Sequence, residues 1–177
     1  KSGRKGFPIV RSNAVQALDD ADSLLSEKGY QPEIVFFDLP GTLKSDGVIK
    51  TLSQMDYIFT PVSADRFVVE SALQFVMMFN DNLVTTGLAK TKGISLFWTM
   101  VDGREKTGLY DLYGKLFAEN NFRVLDTSLP DSKRFRREPS DDRKSVFRST
   151  ILPPDTSMLK GSRIRELSEE ICSIING

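Results

Sequence analysis

Apolar residues recur along this chain in two rhythms. Ile34-Val35-Phe36-Phe37 is an uninterrupted apolar run, and Tyr57-Ile58-Phe59-Thr60-Pro61 is a second, stopped by proline. Gly93 opens a third, Ile94 to Met100, and Phe122 to Thr127 reads as the last strand. Short runs of this kind predict strands buried on both faces, as in parallel sheets. Phe7-Pro8-Ile9-Val10 is a further short run, with Pro8 where an edge strand or a first position tolerates it. Between the runs the spacing turns helical. Val15, Leu18, Ala21 and Leu25 predict a helix entered through Ser12-Asn13, with Gln16 as in a capping box and Gly29 as the stop. Val48, Ile49 and Leu52 predict a short helix within 44–53. Ser63 or Asp65 caps a long one carrying Val68, Ala72, Phe75, Val76 and Phe79, with Met77 and Met78 as core filling. Leu109, Leu112, Tyr113, Leu116 and Phe117 mark another amphipathic helix. Ser162 opens a final one with Ile164, Leu167, Ile171 and Ile174 on one face.

Strands and helices that alternate in this way predict an α/β fold. The expectation is a three-layer α/β/α arrangement with a mainly parallel sheet and right-handed crossovers. A length of 177 residues suits one domain. Residues 1–6 read as a linker, 7–130 as the β/α core, 131–150 as a charged segment and 151–177 as a C-terminal helical region. The first residue is Lys1 rather than Met, and the expectation is a longer gene product.

Composition narrows the chemistry. Basic and acidic residues balance at 24 each, so the whole molecule has no strong attraction to nucleic acid or membrane. Histidine is absent, which removes histidine-based triads and most transition-metal sites. Cys172 is the single cysteine. A disulfide framework is therefore excluded, a reducing, cytoplasmic setting is expected, and Cys172 reads as a small core residue. No apolar run approaches a membrane span, and no secretory signal is visible.

Asp38 stands at the carboxyl end of the 34–37 run, and the chain then turns through Pro40-Gly41. Ligands of open α/β sheets bind at that end of the strands. An acid there can hold Mg²⁺, directly or through water, beside a nucleotide phosphate; it can equally serve only to cap the turn. Asp19, Asp20 and Asp22 point in different directions at helical spacing and make a poor metal site. Trp98 reads as core, and Arg66 as a residue that can face a partner subunit.

Four segments in order resemble the ParA/MinD group of P-loop ATPases. Phe36-Phe37-Asp38-Leu39-Pro40-Gly41-Thr42 is similar to a strand of that family ending in aspartate and a proline-bearing turn. Met55 to Ser63 is similar to its apolar strand followed by Pro-Val. Phe97 to Arg104 is similar to its strand and loop bearing an Asp and an Arg. Leu129-Pro130 sits like the family's Ile-Pro after the last strand, and Phe147-Arg148-Ser149-Thr150 with the closing helix fits its C-terminal end. The agreement covers about 33–175. The resemblance implies a P-loop NTPase-like fold, truncated at the N-terminus. It makes Asp38 the acid beside Mg²⁺ and its waters, and Pro40, Gly41 and Thr42 the turn that senses the γ-phosphate. Asp102, Arg104, Leu129 and Pro130 become the adenine side of an ATP site. It further implies a nucleotide-dependent homodimer, a stimulating partner protein, and non-specific DNA binding in the partition or transfer of a plasmid or mobile element.

The departure from the family is as informative. The Gly-rich phosphate loop with its lysines is absent, and Ser2-Gly3-Arg4-Lys5-Gly6 has neither its pattern nor a preceding strand. The family's second acidic motif is absent too. Both would lie upstream of Lys1, so ATP and Mg²⁺ are expected in the complete protein and little hydrolysis from this chain alone. Loss of two central strands would leave unpaired sheet edges. Two other readings stand beside this one. One is a non-catalytic interaction or DNA-binding module on the same scaffold. The other is an ATP-dependent amide-forming relative, whose substrate residues the sequence does not identify. Lys133, Arg134, Arg136, Arg137, Arg143, Lys144 and Arg148 form a basic cluster with a net of +4 over 133–148 after Glu138, Asp141 and Asp142. Such a patch either neutralises DNA phosphates or forms a solvated, salt-bridged surface. Phe135 within it reads as packed onto the body.

Overall fold

The computed structural model describes residues 6–27, 31–41, 46–104, 108–132 and 156–177. In chain order these hold α1 (Ala17–Leu25), α2 (Val48–Leu52), β1 (Tyr57–Val62), α3 (Arg66–Phe79), β2 (Gly93–Trp98), α4 (Leu109–Glu119), β3 (Arg123–Val124), α5 (Thr156–Leu159) and α6 (Ile164–Asn176). A π-helical turn, Asn80–Val84, prolongs α3. The strands form one parallel sheet in the order β1-β2-β3, with Tyr57 opposite Gly93, Val62 opposite Trp98 and Leu96 opposite Val124. The β1-α3-β2-α4-β3 path makes this a mixed α/β fold on a small parallel sheet.

Local sequence accounts for the helices. The Asp65 carboxylate accepts hydrogen bonds from the Phe67 and Val68 amides at 2.9 and 3.1 Å, which caps α3. Val69, Ala72, Val76 and Phe79 follow at spacings of three and four and are buried. Val62, Val69, Val76, Leu96 and Phe117 are at most 1% exposed and join Ala72 and Trp98 in one cluster. Burial of one such side chain contributes about 1.5–3 kcal/mol. Trp98 sits edge-on to Tyr110 at 5.1 Å and tilted against Phe117 at 5.7 Å, so the expected core tryptophan is core.

Several expected inward residues point outward. Val68, Met77 and Leu112 are exposed, and Val69 takes the core position in place of Val68. Cys172 is exposed on α6 rather than packed in the core.

The larger correction concerns the N-terminal quarter. Neither 7–10 nor 34–37 is a strand; both are irregular, with Ile9 78% and Phe36 73% exposed. A strand is stable only when a neighbour takes up its backbone groups, and neither run has a ladder partner among the described residues. Asn13 does initiate the helical turn as expected, its side chain accepting from the Val15 and Gln16 amides. Yet α1 buries no residue. This arm is tied to α2 instead. The Thr51 hydroxyl donates to Ala14 O at 2.8 Å. Gly47, at φ +83°, lets Val15 approach so closely that a Cβ there would lie 2.7 Å from its backbone.

Candidate functional site

Because every strand runs the same way, their carboxyl ends gather on one side of the sheet, the side where α/β folds bind ligands. Two irregularities shape that side. After Trp98 the backbone turns through Met100 at φ +56°, which reverses the side on which the next peptide groups point. Val101 then donates to Leu129 O at 3.1 Å and accepts from the Asp131 amide at 2.9 Å, forming a parallel bridge with Pro130.

The second irregularity lies on the partner segment. Leu125 donates to Leu96 O at 2.8 Å. In a regular ladder Thr127 would next donate to Trp98 O, but Leu129 does so, at 2.8 Å. Two extra residues therefore bulge out after β3, and the displaced Thr127 amide, together with the outward-facing Asp126 amide, turns to a side chain. Glu170 of α6 accepts from Asp126 with one carboxylate oxygen at 2.8 Å and from Thr127 with the other at 2.9 Å. Burial alone would push Glu170 up. The Thr127 hydroxyl, the two amides and the charge of Arg123 outweigh it and hold the carboxyl below its ordinary value. Arg163 adds a weaker tie to the Ser128 hydroxyl at 3.3 Å.

This register sets Pro130, Asp131 and Ser132 opposite Lys160, Gly161 and Ser162, and a cavity of about 260 Å³ lies between them. Ser162 is buried; its hydroxyl donates to Leu159 O at 2.7 Å and accepts from the Ile164 amide at 3.3 Å. The first residue of α6 is thus preceded by Arg163 in a left-handed conformation, one residue beyond the serine expected to open the helix. Drug-sized ligand sites run to roughly 300–1,000 Å³, so this cavity suits one ring or one polar group of a larger ligand. A second cavity of about 260 Å³ adjoins it, between Lys160-Gly161 and Arg165-Glu166.

The candidate residues divide accordingly. Pro130 lines the cavity, and Leu129 fixes it through the backbone. Asp102 and Arg104 lie on the loop that follows Val101 but satisfy one another. The carboxylate accepts from the Arg104 backbone amide at 3.0 Å and from its guanidinium at 3.1 Å. The Arg104 side chain holds Asp102 below the usual carboxylate range; with Arg104 92% exposed, the pair adds little to stability. Asp38, Pro40 and Gly41 are exposed, and Asp38 makes no hydrogen bond or ion pair among the described residues. Thr42, Lys133, Arg134, Arg136 and Arg137 lie outside the described residues, as do Gly29 and Phe135. Among the described residues there is no cluster of three or more carboxylate or cysteine ligands for a metal ion. No described helix is long and apolar enough to cross a membrane.

Asp131, Ser132, Lys160, Gly161 and Glu170 were not singled out by the sequence reading. The one local signal was Lys160-Gly161-Ser162 ahead of an amphipathic helix, where glycine marks a turn. Compared with family models, with curated proteins and with solved structures, the chain matches none.

Proposed function

We propose that this chain is part of a ParA/MinD-like ATPase, with a three-layer, P-loop NTPase-like arrangement in the complete protein. Its role is in partition, segregation or transfer of a plasmid or mobile element. The observation that carries the reading is the joining of the Val101 loop to the Leu129-Pro130 turn beside a polar cavity, at the carboxyl ends of parallel strands. In the family these two segments form the adenine side of the site. The ladder supports the reading from another direction. Among the described residues β1 is an edge strand and the apolar run 34–37 has no partner, as in a sheet that takes up further strands.

In the complete protein Asp38 would stand beside Mg²⁺, with Pro40, Gly41 and Thr42 near the γ-phosphate. The missing loop would supply the phosphate-binding amides and lysine charge. What this chain's own residues do is bind the base side: Pro130 presents an apolar surface, and the Leu129 and Val101 backbones hold it in place. The nucleotide-bound dimer, its stimulating partner and non-specific DNA belong to the same reading.

Calorimetry with Mg-ATP tests it, on this chain and on the protein extended to its natural start methionine. Tight binding by the extended protein alone is the expected result. Binding by neither sinks the reading. A second reading, a non-catalytic or DNA-binding module, is favoured by the isolation of Asp38 on an irregular, exposed segment. It predicts DNA binding that weakens steeply with salt and is reduced by Arg136→Ala with Arg137→Ala.

A further inference from the structure

We infer that Glu170 is a positioning residue that latches α6 onto the bulge after β3, so that the cavity at Pro130 assembles and opens with that latch. Three observations meet here. The bulge at 126–128 displaces the Thr127 amide from the ladder, and it and the outward-facing Asp126 amide are both taken by one carboxylate some forty residues away in sequence. The length of that bulge fixes which residue returns to Trp98 O, and therefore places Leu129, Pro130 and Asp131 against Val101. The opposite wall, Lys160 to Ser162, is the turn that leads directly into the helix carrying Glu170. Leu167, buried on the same helix three residues before Glu170, adds an apolar contact to the docked state.

Both walls of the cavity are thus tied to one another through the Glu170 contact. Release of Glu170 leaves the Asp126 and Thr127 amides without their acceptor, frees the bulge to slide, and loosens α6 together with the turn before it. An occupant that binds only the assembled cavity must favour the closed latch, and the closed latch must favour the occupant to the same extent. The latch rests on the reading above only for the identity of that occupant, taken as the base of a nucleotide.

Backbone amide exchange followed by NMR tests this on the full chain, with Mg-ATP as the probe at a concentration high enough to occupy a weak site, since this chain alone is not expected to bind it tightly. The proteins are wild type, Glu170→Gln, Arg163→Ala and, as a control on the exposed face, Glu169→Gln. Glu170→Gln is expected to speed exchange at Asp126 and Thr127, and in step at Leu129, Asp131 and Ser162. The size is on the order of tenfold, as for loss of a charge-assisted hydrogen bond. Arg163→Ala should do the same more weakly, and Glu169→Gln should change none of them. Trp98 fluorescence shows whether the core of each variant stands; should Glu170→Gln unfold, the weaker Arg163→Ala carries the comparison. Faster exchange confined to Asp126 and Thr127 would overturn the inference, because the contact would then be local. Mg-ATP is expected to slow exchange at Asp131 and Ser162 and at Asp126 and Thr127 together; slowing of the first pair alone also overturns it. Mg-ATP without effect at any amide, even at that concentration, would count against a base-binding role for the Pro130 cavity in this chain, and the latch would then stand or fall on the variants.

Discussion

Glu170 is one carboxylate that satisfies two backbone amides, and its protonation is therefore linked to folding. Its carboxyl is held below the ordinary glutamate value in the folded chain. The sign follows. Its stabilising contribution is full above the unfolded value and is lost as pH falls through the lower, folded value. Acidification below the ordinary glutamate range should thus release α6, whereas alkaline pH should not. Glu170→Gln is expected to melt at a lower temperature than wild type at neutral pH and to lack this acid-dependent component. Thermal midpoints of the two proteins across pH check this, and parallel curves would refute it. Asp102 is held low as well, but it pairs with the exposed Arg104 on a surface loop, so the same experiment on Asp102→Asn should show little change.

The N-terminus of α3 is decided by Asp65. Its side chain takes up two amides that the helix leaves without intrahelical acceptors. Asp65→Ala should cost about 1 kcal/mol, read as a lower urea midpoint with an unchanged slope. A comparison of two phenylalanines tests the correction made to the strand assignment. Phe117 is fully buried in the core, and Phe36 is largely exposed on an unpaired segment. Phe117→Ala should cost about 3–5 kcal/mol. Phe36→Ala should stay within about 0.5 kcal/mol. A large loss for Phe36→Ala would mean that 34–37 packs as a strand after all. The expectation of a strand there rested on composition alone. Four apolar residues satisfy the pattern of a buried strand, but the pattern does not supply a neighbour.

At the scale of the molecule, β1 has no partner on its outer side among the described residues. Register with β2 and the bond from Thr99 to Val62 O turn the backbone groups of Ile58, Thr60 and Val62 toward β2. Those of Tyr57, Phe59 and Pro61 therefore face the free edge, where Tyr57 and Phe59 find no partner among the described residues. Pro61 has no amide to lose on that side, which is where a sheet tolerates proline. Amide exchange along β1 should alternate, slow at Ile58 and Thr60 and fast at Tyr57 and Phe59. Uniform protection would show that another strand covers the edge. An open edge, together with exposed Phe7, Ile9 and Phe36 in the N-terminal arm, is a route to self-association.

Much of this architecture was readable from local information. Helical spacing located α3, α4 and α6, apolar runs located β1 and β2, and Asp65 and Asn13 announced their turns, because each signal lies within one or two turns of chain. Leu129-Pro130 was legible as the turn after the last strand, but the structure bridges Pro130 to Val101 rather than ending the pairing there. The tertiary structure alone decided three things. It left 34–37 and 7–10 unpaired, since pairing depends on a neighbour elsewhere in the chain. It chose Val69 over Val68 and turned Cys172 outward, since a helix with several apolar residues has more than one plausible inner face. It joined Glu170 to Asp126 and Thr127, and Lys160–Ser162 to Pro130, across roughly thirty to forty-four residues. No periodicity spans such a distance. The candidate site arises where a bulge of two residues meets a distant carboxylate, and only the folded register brings those together.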